Sequence, residues 1–216
     1  MDLLKEFQQY IKAQNLFQPK DKLLLAVSGG VDSVVLCELC KQAGYDFVIA
    51  HCNFQLRGEE SERDENFVRE LGKKYEVEVL VKKFDTNKYA QENKLSIQVV
   101  ARELRYAWFN ELLAKIKNDL NPEGSASPFR GLGGLLTAHH ANDNTETLLM
   151  NFFKGTGING LHGILPKQGN IIRPLLFAKK EELSAFAAAN RLAFVEDSSN
   201  AADKYTRNYF RNQLIP

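Results

Sequence analysis

The feature that most constrains this chain is the order of its apolar runs. "KLLLAV" (22–27), "FVIAH" (47–51), "VEVLVKKF" (77–84), "GLLTA" (134–138) and "IIRPLL" (171–176) are separated by stretches with helical periodicity near 32–43, 60–75, 95–118, 142–153 and 179–190. In 95–118, Ile97, Val100, Leu104, Trp108, Leu112 and Ile116 recur at three and four residues and mark one buried face. Several of the strand candidates are nearly all apolar instead of alternating, as strands covered by helices on both faces are. The alternation predicts an α/β fold: a doubly wound, mostly parallel, Rossmann-like five-stranded sheet with helices on both faces. The 216 residues are read as one domain, 1–216, opened by an amphipathic helix within 1–20. The stretch 118–134, rich in Gly, Pro, Asn and Ser, reads as a surface loop. Ligands of such sheets bind at the carboxyl ends of the strands, so functional residues are sought there.

Composition narrows the classes. The chain is 44% hydrophobic and 25% charged, ordinary for a soluble globular protein. No apolar stretch approaches the roughly 20 residues that span a bilayer, so no membrane partner is expected. The N-terminus lacks the basic start and apolar core of a signal peptide. Three cysteines make no disulfide framework, and a cytoplasmic location is the default. The net charge of +1 argues neither for nor against RNA, so an RNA-binding case rests on local arginines or on other domains. No protein partner is implied, and the oligomeric state stays open.

"LLLAVSGGVDSVVL" (23–36) breaks an apolar strand with a small polar loop and at once starts a helix. Glycines let a backbone approach a ligand. The free N–H groups of a helix's first turn, with the helix dipole, favour an anion. Ser28 and Ser33 add hydroxyls, so Ser28, Gly29, Gly30, Val31, Asp32 and Ser33 suit a phosphate. The alternative is a Gly-rich turn with Ser or Asp as helix cap. The loop lacks the GK[ST] ending of a Walker loop and the GxGxxG spacing. Asp32 beside a triphosphate would be repulsive without a divalent cation, which implies Mg²⁺ at Asp32.

The whole SGGVDS string resembles the pyrophosphatase loop of the ATP pyrophosphatases, with their adenine nucleotide alpha-hydrolase-like fold. Four further segments narrow the resemblance: "HCNFQLRGEES" (51–61), "QVVARELRYAWF" (98–109), "TAHHANDNTETLLMNFFKGTGINGLHGI" (137–164), and "IIRPLL" (171–176) leading to "EDSSNAADKYTRNYFRNQLIP" (196–216). In this order they resemble the tRNA(Ile)-lysidine synthase family, from about residue 22 to the C-terminus. That resemblance implies a ligase. ATP adenylates O2 of the wobble cytidine (position 34) of a tRNA(Ile) with a CAU anticodon, releasing pyrophosphate. The ε-amine of free lysine then attacks C2 and expels AMP.

The resemblance also assigns residues. Asp32, Asp143, Glu146 and Arg207 are expected to be catalytic. The loop residues, His51 and Arg102 are expected at ATP. Arg57, Arg105, Asn200 and Arg211, with Asp143 and Glu146, are expected at lysine or tRNA. Asp143 and Glu146 share a helix face and could hold Mg²⁺ or the cationic lysine; the plainer alternative is a capping box with Asp143 as cap. For the arginines the alternative is a solvated helix surface. His139 and His140 read as structural, and no third ligand stands at zinc spacing. The family's second histidine in the 51–57 segment is Phe54 here, so no role carries over. Many family members continue beyond the segment matching Pro216, and C-terminal tRNA-binding domains are expected to be absent from this chain.

Three rivals stand beside this reading. One is a tRNA thiolation enzyme with an iron–sulfur cluster on Cys37, Cys40 and Cys52; yet the first two lie among Val34, Val35, Leu36 and Leu39, where cysteine packs as a small hydrophobe. The second is an ammonia-using synthetase of the same superfamily. The third is a nucleotide-binding module without catalysis.

Overall fold

The computed structural model describes residues 2–118, 132–156 and 162–196. A six-stranded sheet runs in the order β3-β2-β1-β4-β6-β5. Its strands are β1 (Lys22–Ala26), β2 (Phe47–Asn53), β3 (Val79–Lys83), β4 (Leu132–Leu136), β5 (Lys167–Gln168) and β6 (Ile171–Ile172). All pairings are parallel except β5 with β6. The helices are α1 (Leu3–Ala13), α2 (Val31–Gln42), α3 (Glu59–Tyr75), α4 (Thr86–Asn93), α5 (Ile97–Asn118), α6 (Ala141–Phe153) and α7 (Lys180–Ala189).

The continuous apolar runs are explained by two cores. Leu23 and Leu25 of β1, with Phe47 and Ile49 of β2, face a core shared with α1, α2, α3 and α7. Leu24, Val48 and Ala50 face the other side, against Trp108, Phe109, Leu112 and Leu113 of α5. Side chains alternate along a strand, so a strand with two dry faces is apolar at every position. Leu23, Leu24 and Leu25 are all fully buried.

The expected doubly wound parallel sheet is present, with one strand more than the five anticipated. The sixth, β5, has only two residues and folds back on β6 through Gly169, whose φ of +58° suits a tight hairpin turn. The run 171–176 shortens to β6 because Pro174 has no N–H for a ladder. Helix α4 was not anticipated: it buries only Thr86 and Ala90, too little apolar surface to leave a periodic signal. Its start is nonetheless capped, with the Asp85 carboxylate accepting from the Lys88 N–H at 3.1 Å.

Candidate functional site

Strand β1 leads to β2 and β3 on one side, whereas β4 lies on the other, so the topological switch falls between β1 and β4. Both strands end in polar segments there: Ser28–Gly30 after β1, and Thr137–His140 after β4. The strand-to-helix turn is shaped by Gly29 at φ +98°. Helix α2 then starts at Val31 with Gly30 as its cap and no side chain on the cap position's hydrogen bonds. The serines serve the loop instead. Ser33 Oγ donates to the Gly30 carbonyl at 2.8 Å and accepts from the Gly29 N–H at 3.2 Å. Ser28 Oγ accepts from the Gly30 N–H at 3.3 Å. The alternative of a Ser or Asp cap is not met, since Gly30 is the cap, and the first-turn N–H groups of α2 stand at the carboxyl end of β1, where an anion is favoured. Val195 closes the loop from behind, its N–H donating to the Gly29 carbonyl at 3.0 Å.

A charged cluster lies beside the loop. Lys180 Nζ meets Asp32 Oδ1 at 2.6 Å. His140 Nε2 stands 3.7 Å from Asp32 Oδ2 and 3.6 Å from Asp143 Oδ2. Asp143 Oδ2 also accepts from the His140 backbone N–H at 3.1 Å, which orients that carboxylate. The capping alternative at α6 is met one turn earlier and on one side only: His140 holds the cap position and Asp143 reaches back to its N–H, while no side-chain bond caps from His140. Lys180 is anchored in turn, its own N–H donating to Asn142 Oδ1 at 2.9 Å. Sequence reasoning missed Lys180. A signal was present: Lys179 and Lys180 open α7, where the helix dipole disfavours cations, and that local cost marks a tertiary role.

Two clefts open at this end of the sheet. The first, about 470 Å³, is lined by Gly30, Asp32, Ser33, Thr137, His139 and Asp143 on its polar side and by Ala26, Ala50, Tyr106 and Phe109 on its apolar side. The second, about 590 Å³, lies between the segment after β2 and the start of α5. Ser28, Cys52, Phe54 and Arg105 line both.

The structure brings Ser28, Gly30, Asp32, Ser33, Asp143 and Arg105 together at the first cleft. His51 and Arg57 line the second, with Arg57 Nη2 paired to Asp64 at 2.9 Å. Gly29 and Val31 shape the loop and line neither cleft. Nor does Arg102, whose guanidinium lies over Tyr106 at 5.0 Å. Glu146 is buried on α6 one turn beyond Asp143 and also lines neither cleft. Asn200, Arg207 and Arg211 lie outside the described residues.

Buried His51 is held by a hydrogen bond of 2.8 Å between Nδ1 and the Val27 carbonyl. A carbonyl only accepts, so Nδ1 carries the proton. Burial pushes the imidazole below its ordinary pKa, outweighing that hydrogen bond and the nearby Glu65 and Asp64 charges, which raise it. The unfolded chain therefore takes up a proton near pH 6.5 that the folded chain refuses, and stability falls as pH drops through that region. Thermal unfolding from pH 8 to pH 5 is expected to show this loss, with a shallower slope in His51→Gln. Identical slopes would remove His51 as the cause.

The cysteines fit the packing alternative. Cys37 and Cys40 are fully buried in the core shared by α1 and α2. Burial pushes both thiols well up, away from the thiolate that a metal or cluster requires. Among the described residues no group of three His, Cys, Asp or Glu side chains is arranged to hold a metal ion. None of their helices is long and apolar enough to cross a membrane.

A family model described as a PP-loop domain matches residues 2–216. The chain belongs to the PP-loop family. The chain is 47% identical over 208 residues to the tRNA(Ile)-lysidine synthase of Bacteroides thetaiotaomicron, covering 96% of this chain and 46% of that protein. It is 44% identical to the enzyme of the same name from Parabacteroides distasonis, covering 96% and 44%. For that of Thermosipho africanus the identity is 41%, covering 100% and 48%. The chain thus spans about half the length of these curated relatives. Among solved structures, a U34-tRNA thiolase from Methanococcus maripaludis with its 4Fe–4S cluster superposes with a TM-score of 0.67 at 16% identity, covering 98% of this chain and 74% of that one. An ammonia-dependent NAD synthetase from Campylobacter jejuni gives 0.56 at 15%, covering 91% and 80%. These two likenesses establish the fold and nothing finer.

Proposed function

We propose that this PP-loop domain is the catalytic domain of a tRNA(Ile)-lysidine synthase. The observation that carries the reading is the SGGVDS turn at the switch point, with an oriented carboxylate, Asp143, across the first cleft. The name shared by relatives at 41–47% identity supports it. In this reading the first-turn N–H groups of α2 and the serine hydroxyls hold the β,γ-pyrophosphate of ATP. The apolar side of the first cleft takes the nucleoside. Cytidine O2 attacks the α-phosphorus and pyrophosphate leaves; the lysine ε-amine then adds at C2, loses a proton, and AMP leaves. Asp143 receives the lysine amine, and buried Glu146 supports the same helix end. Arg207 takes part in catalysis, Arg57, Arg105, Asn200 and Arg211 serve the lysine or the RNA, and His51 and Arg102 act at ATP from outside the lining of the first cleft. The chain acts in the cytoplasm, in keeping with its free cysteines.

Mg²⁺ binds through phosphate oxygens and only one or two carboxylates, and Asp32 at the loop fits that need. Asp32 would hold the ion, sharing its charge with Lys180, 2.6 Å away. The bound ion would neutralise charge on the departing pyrophosphate.

The test uses ATP labelled at the α-phosphate, Mg²⁺, lysine and unmodified tRNA(Ile). AMP is expected only when lysine and tRNA are both present. ADP as product, or no AMP in any mixture, counts against the reading. Asp143→Asn is expected to abolish AMP formation while ATP binding persists; unchanged behaviour would favour a binding module.

A further inference from the structure

We infer that the second cleft receives the target pyrimidine nucleotide of the RNA, its base stacked on the Arg105 guanidinium. The inference rests on the proposed function and adds where the RNA substrate enters.

The two clefts share Phe54 and Arg105, and Phe54 is backed by Phe84. Phe84 and Phe54 stack with ring centroids 5.5 Å apart and planes within 19°. Arg105 Cζ lies 5.2 Å from the Phe54 centroid. Arg105 is itself exposed, makes no ion pair among the described residues, and lines both clefts. A guanidinium plane backed by an aromatic ring is a platform on which an unstacked base is held. Its positive charge also stands at the seam, where a nucleotide in the first cleft and a base in the second would meet.

The chemistry of the cleft selects a nucleotide over the amino-acid substrate. Asp64 is its only acidic lining residue, and it is engaged by Arg57 at 2.9 Å and Arg63 at 2.8 Å. An ammonium group therefore finds no uncommitted carboxylate among the described lining residues. Asn87 and Gln98 also line it, and their side-chain amides make no hydrogen bond to the described residues. An amide offers one donor and one acceptor edge, which matches the paired N4–H and N3 of cytosine. The first cleft already contains the loop residues Gly30, Asp32 and Ser33, so ATP is assigned there.

The test places 5-iodocytidine at the wobble position of a tRNA(Ile) anticodon stem–loop, irradiates it with the full chain, and maps the cross-link by mass spectrometry. A cross-link within 51–61 or 97–105 is expected. A cross-link to 137–143, or to a surface remote from both clefts, overturns the inference. Where no cross-link forms, Ala101→Trp decides, since Ala101 lines only the second cleft. It is expected to raise KM for the RNA about tenfold or more with ATP affinity held within about twofold. An unchanged KM sinks the inference, and retained ATP binding shows that the variant folds. The two readings fail separately: absent RNA-dependent AMP release in the parent removes the proposed function, whereas AMP release with a cross-link elsewhere removes only the entry site.

Discussion

Asp32→Asn is expected to lower AMP formation by about a hundredfold or more, the size of effect seen when one preorganised electrostatic group is removed from a transition-state site. Asparagine keeps the shape of the side chain and removes its charge. The pair with Lys180 is partly solvated, with side chains 28% and 39% exposed, so its loss costs only about 0–1 kcal/mol of stability. A large catalytic loss with a nearly unchanged unfolding temperature is therefore the expected signature. Single-turnover AMP release and thermal unfolding measured on the same preparation check it. An activity within a few-fold of the parent would show that Asp32 serves the Lys180 contact alone.

Gly29→Ala is expected to damage both folding and ATP binding. At φ +98° an L-residue is strained by about 1–3 kcal/mol. An added Cβ would also stand 2.7 Å from Val195 Cγ2, inside any tolerable contact. Relief requires Val195 to move, and its N–H is hydrogen-bonded to the Gly29 carbonyl at 3.0 Å. Together these predict a loss of about 2–4 kcal/mol and a collapse of the loop geometry. Gly30→Ala is the control. Its backbone, at φ −70° and ψ 161°, is open to any residue, and the nearest atom to an added Cβ is Ser28 Oγ at 3.5 Å. Urea unfolding and ATP titration of the two variants should separate sharply. Equal behaviour would mean that the loop relaxes without cost.

Much of the site was legible because its carriers are local. The turn 28–33 lies between an apolar strand and an apolar helix, and the pairing of glycine with first-turn N–H groups is a property of consecutive residues. Asp143 was legible as a carboxylate at the start of a helix after a strand. Its actual partner, the His140 N–H, was one turn earlier than the capping box anticipated, because helix starts shift easily within a few residues. By its place in the sequence His140 reads as structural, yet it stands between Asp32 and Asp143 with Nδ1 buried and unpaired among the described residues. In the sequence Phe54 is only the loss of a histidine; in the fold it lines both clefts.

By itself, then, the sequence determined the layers and the loop. Apolar runs, helical periods and an SGGVDS turn are short-range patterns, and burial on both faces leaves its mark on every residue of a strand. Tertiary structure alone decided which distant groups meet. Lys180 reaches Asp32 across 148 positions because α7 docks its first turn on Asn142 of α6. The stack of Phe84, Phe54 and Arg105 joins residues from three segments that share no local pattern. Such encounters depend on strand order and on how helices pack over the sheet, and no window of consecutive residues encodes them.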